Sequence, residues 1–344
     1  MIKAAVTGVG GGCGQSIMKA LSIASLPVEI FPADIQPMSA GLYRGVEATV
    51  LPPPEKPEAL THWAEWIGTN GIGVLFPGSD LDLIPFSRTR DAWAERGLCH
   101  VLASDLDLVL ACRDKAKTFL RLAAAGIPTP LSAWDLSLPD ALEWARANGW
   151  PVVIKPRDGF ASRHLHVVSN DEEFQFFYPR VPNPIIQEYL NLSGAVEEFT
   201  CAVFVDRRGE PIGTFMARRD LRDGATYRAE ISVWPDIHEL LCAIGKALRP
   251  RGVLNVQLRR TAHGLIPFEL NIRCSGTTAI RAHFGYNEPE MMLRHYALGE
   301  QLVIPRPRTG YAFRYWNEVF IEGVSRDDLI SNPGERQGII HAWP

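Results

Sequence analysis

Short apolar runs alternate with amphipathic stretches along the first third of the chain. The runs IKAAVTGV, VEIFPADI and IGVLFPGSD have the length of strands, and QSIMKALSIA and PEALTHWAEWIG between them have the spacing of helices. In the second helical stretch Leu60, Trp63 and Ile67 recur at intervals of three and four residues and so share one face. Alternating strands and helices predict a parallel sheet with helices on both sides, which we place at residues 1–112.

The remainder of the chain has a different pattern. A predicted helix from Asp114 to Ala125 ends at GIPTP, and LPDALEWARANG and PVVIKP predict a second helix and a strand. Farther on, EFTCAVFVD and PIGTFMARRD flank RRGE, while GVLNVQLRR and LIPFELNIR flank TAHG. Each pair predicts an antiparallel hairpin, so an α+β region follows the α/β unit.

The last of these strands, PFELNIR, carries polar side chains on alternate positions. Glu269, Asn271 and Arg273 therefore lie on one face of the strand. If the hairpin turns at TAHG, Gln257 lies opposite Glu269, and Asn255 lies opposite Asn271. Carboxylate and carboxamide oxygens suit a hard cation such as Mg²⁺, although the solvated face of an amphipathic hairpin would show the same periodicity.

Composition narrows the class of protein. The chain has 344 residues, 46% hydrophobic and 22% charged, with a formal net charge of -4, which is typical of a globular protein. Without a basic excess, neither nucleic acid nor an anionic membrane is expected as a partner. The first residues lack a signal-peptide pattern, so we expect a cytoplasmic protein. Six cysteines without a CxxC or Cys/His spacing indicate reduced thiols and argue against structural zinc or disulfides.

Several motifs together resemble one enzyme superfamily. The segments NVQ at 255–257, ELNIR at 269–273 and SGTT from Ser275 resemble the Gln...Glu-x-Asn-x-Arg signature of ATP-grasp enzymes, in particular the carbamoyl phosphate synthetase-like branch. CRDKAKTFLRLAAAGIPTP resembles the first helix of that fold, and PVVIKPRDGFAS resembles its lysine strand and phosphate loop. IIQEYLNLSGAVEEFT resembles its adenine hinge and ribose carboxylate. The order and spacing agree over about 113–305.

This resemblance implies a domain organisation. An N-terminal Rossmann-like domain that precedes the ATP-grasp fold would occupy residues 1–112, and a two-subdomain ATP-grasp fold would occupy 113–305. A lid-bearing subdomain (113–184) would precede a metal-binding sheet subdomain (185–305). Residues 306–344 would form a C-terminal tail.

The resemblance also implies roles for individual residues. Gln257, Glu269 and Asn271 would hold Mg²⁺, with Mn²⁺ as the alternative cation, and Arg273 would contact the γ-phosphate of ATP. Lys155 and Arg273 would be the catalytic residues. The nucleotide contacts would be Lys115, Lys155, Ser162, Glu188, Tyr189, Leu190 and Glu198. A single lysine or glutamate of this kind is more often a solvated surface residue, so the expectation depends on the whole set.

The implied activity is that of an ATP-dependent carboxylate-amine ligase. The enzyme would activate a small carboxylic acid as an acyl phosphate and release ADP and phosphate. The resemblance also allows a homodimer. Carbamate formation, thiol ligation and nucleotide sensing without turnover are alternatives. Arg219 and Arg222, in the basic segment ARRDLRDGATYRAE, could bind the acid by bidentate pairing or could belong to a solvated loop.

The main alternative from another class is a short-chain dehydrogenase. TGVGGGCG near the N-terminus fits a dinucleotide-binding turn, and Asp34 follows about twenty residues later. However, none of the eight tyrosines has a lysine four positions later, as the catalytic YxxxK of those enzymes would require. A tight strand-to-helix turn is therefore the favoured interpretation of the glycines.

Overall fold

The N-terminal part of the molecule is built on a five-stranded parallel sheet, which confirms the predicted α/β unit. A computed structural model describes residues 1–56, 58–158, 164–190, 197–304, 306–315, 317–334 and 339–342. The strands are β1 (Ile2–Val6), β2 (Val28–Asp34), β3 (Thr49–Val50), β4 (Val74–Phe76) and β5 (His100–Val101), in the order β3-β2-β1-β4-β5. The helices are α1 (Gly12–Ser22), α2 (Ala59–Asn70), α3 (Asp80–Glu95) and α4 (Leu106–Arg113), with a 3-10 turn at Ala40–Arg44.

Local capping fixes where the helices next to the site begin. The Ser79 hydroxyl accepts a hydrogen bond from the Asp82 amide (3.2 Å), so α3 begins at Asp80 directly after the loop that follows β4. Helix α5 (Lys115–Ala124) begins in the same way, because the Asp114 carboxylate accepts from the Ala116 amide at 2.9 Å. Asp80 and Lys115 therefore each stand at the first position of a helix.

A second, smaller sheet is antiparallel and has four strands in the order β6-β9-β7-β8. It comprises β6 (Ser132–Trp134), β7 (Val152–Pro156), β8 (His166–Val168) and β9 (Pro184–Glu188). Two helices, α6 (Leu138–Asn148) and α7 (Asp171–Phe177), and a 3-10 turn at Tyr178–Arg180 accompany it. Its core is separate from those of the rest of the molecule and includes Leu142, Val152, Ile154 and Phe174.

The third and largest sheet contains both predicted hairpins and has the order β14-β13-β10-β11-β12-β15. Its strands are β10 (Glu197–Val205), β11 (Pro211–Arg222), β12 (Ala225–Ile231), β13 (Gly252–Thr261), β14 (Gly264–Asn271) and β15 (Gly310–Phe313). The helices are α8 (Pro235–Leu248), α9 (Thr278–His283) and α10 (Glu288–Met292), followed by a π-helical turn at Leu293–Ala297. The last elements are β16 (Val319–Glu322), α11 (Arg326–Ser331) and β17 (Ile339–Ala342).

The register of the β13–β14 hairpin confirms the predicted pairing. Gln257 lies opposite Glu269, and Asn255 lies opposite Asn271. Nearer the turn Leu258 pairs with Pro267, so Phe268 is one residue more than the ladder needs and forms a bulge. Thr261 pairs with Gly264, so the turn is one residue shorter than the predicted register requires. The extra residue at the bulge restores the predicted pairing farther along the strands.

The two faces of the large sheet pack against different partners. One face packs its apolar residues, among them Val256 and Leu270, against α8 and against the helices of the front sheet in a single core. On the other face Ala202 and Phe215 pack with residues of α1 and of the segment 284–296. The predicted site residues Gln257, Glu269 and Asn271 lie at the polar end of this second face, because they alternate with core residues along their strands.

The segment after residue 305 contributes to the large sheet. Strand β15 pairs antiparallel with β12, while β16 and β17 form a separate two-stranded sheet. The predicted domain boundaries remain predictions. Within the described ranges, no helix is long and apolar enough to cross a bilayer.

Candidate active site

Three of the predicted site residues, Lys115, Glu269 and Asn271, line a cleft where the three sheets approach one another, whereas Lys155, Gln257, Glu198 and Arg273 are not among its lining residues. Its walls include Asp80 from α3, Lys115 from α5, Asp158 after β7, and Glu269 and Asn271 from β14. These residues come from segments far apart in sequence. The fold thus brings acidic, basic and amide groups to one concave surface.

Two lysines supply positive charge to this region: Lys115 lines the cleft, and Lys155 lies within electrostatic range of Lys115 and Glu269. Lys155 is buried, with its ammonium 2.8 Å from the neutral Gln187 Oε1. Burial and the charge of Lys115 together lower its pKa to about 7, although Glu269 opposes the shift. The Lys115 ammonium donates to the backbone carbonyls of Pro156 (3.1 Å) and Arg157 (3.3 Å), and burial lowers its pKa as well. In both cases the lowered pKa means that an anionic ligand would stabilise the charged form.

The predicted metal ligands lie together, but they are not equivalent. The Asn271 amide donates to Glu269 Oε1 at 3.0 Å, which leaves the Asn271 carbonyl oxygen and the second Glu269 oxygen as donors for a hard cation. The Gln257 carbonyl oxygen instead accepts a hydrogen bond from Arg219 at 2.7 Å. Glu269 and Asn271 therefore fit the predicted Mg²⁺ site better than Gln257 does. No cluster of three His, Cys, Asp or Glu ligands occurs in the described part of the chain.

Glu198, the predicted ribose ligand, lies between two arginines. Arg219 donates to its Oε1 at 2.7 Å, and Arg259 donates to its Oε2 at 2.8 Å. Both oxygens are thus engaged within the protein. Arg219 is nearly buried by these contacts, whereas Arg222 is exposed at the end of β11 and stacks near the Tyr227 ring. The two arginines predicted to bind the acid therefore do not meet at one point.

Arg273 is held by the front sheet. Its Nε donates to Asp80 Oδ1 at 2.7 Å, and Nη2 pairs with the second oxygen of the same carboxylate. Nη1 lies 3.3 Å from the Cys13 sulfur, at the start of α1. Although burial opposes it, the negative surroundings raise the pKa of Arg273, so the guanidinium is a permanent cation. Asp80 was not predicted to be a site residue. The signal that could have indicated it is its position directly after Ser79, the N-cap of α3.

The predicted adenine hinge lies at the end of β9. The Glu188 amide donates to the Leu131 carbonyl at 2.9 Å, and Glu188 Oε1 accepts from the Leu131 amide at 2.8 Å. Tyr189 and Leu190 are both half-buried beside it. Ser162 and most of the predicted phosphate loop lie outside the described residues. Gln187, the partner of Lys155, was also missed, although it occupies a polar position in an otherwise apolar strand.

A buried ion pair lies behind the cleft and was not anticipated from the sequence. Arg281 and Glu288 are both fully buried and pair at 2.6 Å. Arg281 also donates to the Asn255 carbonyl oxygen and to Thr200 Oγ1. These contacts draw Asn255 into the core of the sheet, so it does not contribute to the cleft.

The front glycine-rich loop satisfies its own polar groups. Asp34 Oδ2 accepts from the Gly10 amide at 2.6 Å, and Oδ1 accepts from the Gln36 amide at 2.9 Å. A side chain at Gly14 would meet the Gly8 carbonyl at 2.5 Å, so that glycine allows α1 to approach the loop. This arrangement explains the glycines as a tight turn, in agreement with the favoured interpretation.

Two family models match consecutive parts of this chain. The model "ATP-grasp domain" matches residues 112–196, and the model "ATP-grasp in the biosynthetic pathway with Ter operon" matches residues 180–319. Residues 112–319 form an ATP-grasp domain. The resemblance noted from the motifs is thereby confirmed, as is the fold class.

Curated relatives of this ATP-grasp chain are carbamoyl phosphate synthase large chains. That of Methanosarcina barkeri is 22% identical over 192 residues, which is 52% of this chain and 18% of the relative. That of Halobacterium salinarum is 26% identical over 227 residues, 61% of this chain and 21% of the relative. The chain thus spans only about a fifth of the length of these relatives.

Solved structures with the same fold cover most of the chain. The biotin carboxylase domain of Hydrogenobacter thermophilus 2-oxoglutarate carboxylase, in complex with MgADP, ADP and bicarbonate, has a TM-score of 0.71 at 16% identity. That match covers 90% of this chain and 73% of the other. N5-carboxyaminoimidazole ribonucleotide synthetase from Thermus thermophilus has a TM-score of 0.68 at 16% identity, with 90% and 81% coverage. At such identities the likeness establishes the fold alone.

Proposed function

We propose that this protein is an ATP-dependent carboxylate-amine ligase. It would phosphorylate a small carboxylic acid with ATP, release ADP, and transfer the activated acyl group to an amine with loss of phosphate. The observation that carries this proposal is the cleft lined by Lys115, Glu269 and Asn271, with the buried Lys155 within electrostatic range of Lys115 and Glu269. The curated relatives and the solved structures with this fold support the same class of chemistry.

The cleft residues suit a polyphosphate bridged by a hard cation. Glu269 and Asn271 would hold Mg²⁺ through their oxygens, and Gln257 would join them after release from Arg219. When bound, such a cation neutralises phosphate charge during phosphoryl transfer. Lys155 and Lys115 would contact phosphate oxygens as compact point charges, and Arg273 would stabilise the charge on the transferring group.

The reaction needs positioning more than a reactive side chain. A carboxylate oxygen of the acid attacks the γ-phosphorus, the bond to the β-phosphate oxygen breaks, and ADP leaves. The amine nitrogen then attacks the acyl carbon, the carbon-oxygen bond to phosphate breaks, and a proton leaves the nitrogen. Arg273 would be pre-positioned for the first step because Asp80 holds one edge of its guanidinium through Nε and Nη2.

The proposal is tested by measuring ADP release from Mg²⁺-ATP with a panel of small carboxylic acids, each with and without an amine. We expect release that depends on one class of acid, with a further increase when the accepting amine is present. A carbamate-forming enzyme would respond to bicarbonate, and a thiol-ligating enzyme to a thiol. ATP binding with no acid-dependent release would instead support a sensor, and no ATP binding would overturn the proposal.

The finer parts of the assignment are also proposals. Glu188, Tyr189 and Leu190 would contact adenine, Glu198 would face the ribose, and Ser162 would contact phosphate. The use of Mn²⁺ in place of Mg²⁺, a homodimer and a cytoplasmic location remain predictions from the sequence and its resemblance.

A further inference from the structure

Three cationic side chains gather where α1, the 3-10 turn at Ala40–Arg44 and the segment after β15 meet. Lys19 is an exposed residue of α1, Arg44 ends the 3-10 turn, and Arg314 follows β15. Partial burial lowers the pKa of Lys19, and the charges of Arg44 and Arg314 lower it further. Lys19 therefore lies within electrostatic range of both Arg44 and Arg314.

Hydrogen bonds tie this group to the loop that follows the predicted metal strand. The guanidinium of Arg314 donates to the Gly276 carbonyl, and the Ser16 hydroxyl donates to the same oxygen at 3.1 Å. Ser16 and Lys19 are three residues apart on α1 and so lie on one side of that helix. The cationic group thus borders the loop after β14, only a few residues beyond Asn271.

Several arginines elsewhere in the molecule pair with a carboxylate, whereas the three cations of this group have no carboxylate partner in the described residues. Arg219 pairs with Glu198, Arg273 with Asp80, and Arg281 with Glu288. Within the described ranges, Lys19, Arg44 and Arg314 form no ion pair, and the Nε of Arg44 is buried without an acceptor. Like charges held together without compensation are unfavourable, so an anion would stabilise them.

One electrostatic interaction and one hydrogen bond link the group with the predicted metal strands. Arg219 is close enough to Arg314 to lower the pKa of that arginine, which burial already lowers and the Cys13 sulfur raises. Arg219 in turn contacts Gln257. An elongated molecule could therefore place one end at the predicted metal strands and the other among the three cations.

We infer that Lys19, Arg44 and Arg314 bind an anionic group, a carboxylate or a phosphate, carried by the acid substrate apart from the carboxylate that is activated. The identity of the ligand rests on the proposed function and makes it more specific: the acid is at least a dianion. The anion site itself is defined by the three cations and can be tested without turnover.

Binding can be measured by calorimetry with succinate, inorganic phosphate and acetate at constant ionic strength. Saturating Mg²⁺ and a non-hydrolysable ATP analogue keep the triphosphate site filled. We expect succinate or phosphate to bind more tightly than acetate, and Arg314→Gln to weaken that binding about tenfold through loss of a charge-assisted contact. Tighter binding of succinate would identify a second carboxylate, and tighter binding of phosphate a phosphate group.

Arg251→Gln provides a matched control. Arg251 also forms no ion pair with a carboxylate in the described part of the chain, and its pKa, like that of Arg314, is lowered by burial; a neighbouring cation, Arg90, lowers it further. Its guanidinium lies 5.1 Å from the Tyr296 ring and its backbone amide donates to the Ser104 hydroxyl, so its contacts differ from those of the three cations. Its replacement should leave dianion binding unchanged. Equal loss in both variants, or no preference of the unaltered protein for dianions over acetate, would overturn the inference.

A second variant and a kinetic assay separate this inference from the proposed function. Lys19→Gln alters an exposed side chain without a side-chain hydrogen bond in the described residues, so it should fold normally and also weaken dianion binding. If acid-dependent ADP release occurs and its KM for the acid is unchanged in Arg314→Gln and Lys19→Gln, the inference fails while the ligase proposal stands. If both variants lose dianion binding but no acid promotes ADP release, the site is supported and the ligase proposal fails.

Discussion

The glycine-rich loop of the front sheet and the lysine cleft both present polar groups at the ends of strands, but they satisfy these groups differently. In the front loop the Asp34 carboxylate accepts from two backbone amides, and the Thr7 hydroxyl donates to Asp82 at 2.6 Å. Beside the cleft the buried Lys155 ammonium contacts only the neutral Gln187 oxygen at hydrogen-bonding distance within the described residues. A loop that satisfies itself stabilises a fold, whereas uncompensated charge favours a ligand.

The largest difference between the two regions should appear on removal of a carboxylate. We expect Glu269→Ala to lower ATP turnover by on the order of a thousandfold, because it removes a donor from the cation that neutralises phosphate charge. The matched control is Glu55→Ala, which removes an exposed carboxylate lining the front loop. ADP release should be nearly normal in the control, and near-normal turnover of Glu269→Ala would exclude the assigned metal site.

Lys155→Met should weaken ATP binding and at the same time stabilise the fold. We expect ATP affinity to fall about a hundredfold through loss of a phosphate contact, as measured by titration calorimetry. The free energy of unfolding should rise near pH 7, because the folded-state pKa of Lys155 is about 7 and a protonated lysine there is unfavourably buried. Since the unfolded state holds more protons between about pH 7 and 10, the unaltered protein should gain stability as pH rises through that window, and the variant should gain less. An unchanged ATP affinity would contradict the role assigned to Lys155.

Asp80→Asn tests the contact that joins the two regions. Loss of one charge from the bidentate pair should leave Arg273 less well oriented, so kcat should fall roughly tenfold with a smaller effect on the KM for ATP. The control is Asp91→Asn. Asp91 is also an α3 aspartate that pairs with an arginine, in this case Arg90, but it does not line the cleft. A kcat equal to that of the control would show that Asp80 has only a structural role.

Asp34→Ala should alter the front loop without altering catalysis. The Gly10 and Gln36 amides would lose their acceptor, which should cost about 1–3 kcal/mol of stability in denaturant unfolding. ATP affinity should remain within twofold of normal. A selective loss of ATP or dinucleotide binding would instead show that the front loop is a ligand site.

The smallest effect is expected from Asp82→Asn, and it depends on pH. Burial raises the pKa of Asp82 to about 6, so between about pH 4 and pH 6 the folded state holds more protons than the unfolded state. The aspartate therefore destabilises the fold increasingly as pH rises, with the full cost above about pH 6. The Asp82→Asn variant would avoid that cost, and its melting temperature should exceed that of the original protein at pH 8 but not at pH 4. Equal differences at both pH values would argue against this titration.

Alternation along the chain predicted the fold well because it reflects local geometry. The hairpin that carries Glu269 and Asn271 was placed in the correct register, since a period of two and a turn signal determine which side chains share a face. The motif order was equally informative about the superfamily. Neither depends on contacts between distant parts of the chain.

The partners of the site residues could not be read from the sequence. Asp80 and Arg273 are 193 residues apart, and Glu198 and Arg259 are 61 apart. The first pair depends on how the front helix α3 packs against the large sheet, and the second on the pairing of β10 with β13, in which Glu198 lies opposite Arg259. For that reason Glu198 was expected to be an open acceptor, although two arginines occupy its oxygens, and the buried pair of Arg281 and Glu288 was not foreseen.

The bulge at Phe268 bears on how this hairpin can change length in evolution. Leu258 pairs with Pro267 and Gln257 with Glu269, so loss of Phe268 would close the ladder and leave Glu269 and Asn271 on the same face. The ring of Phe268 lines the cleft and lies 5.1 Å from the Arg259 guanidinium, which itself contacts Glu198. Relatives that differ by one residue at this position could therefore keep the cation ligands while altering the apolar wall of the cleft, so that a single insertion or deletion changes selectivity and spares the chemistry.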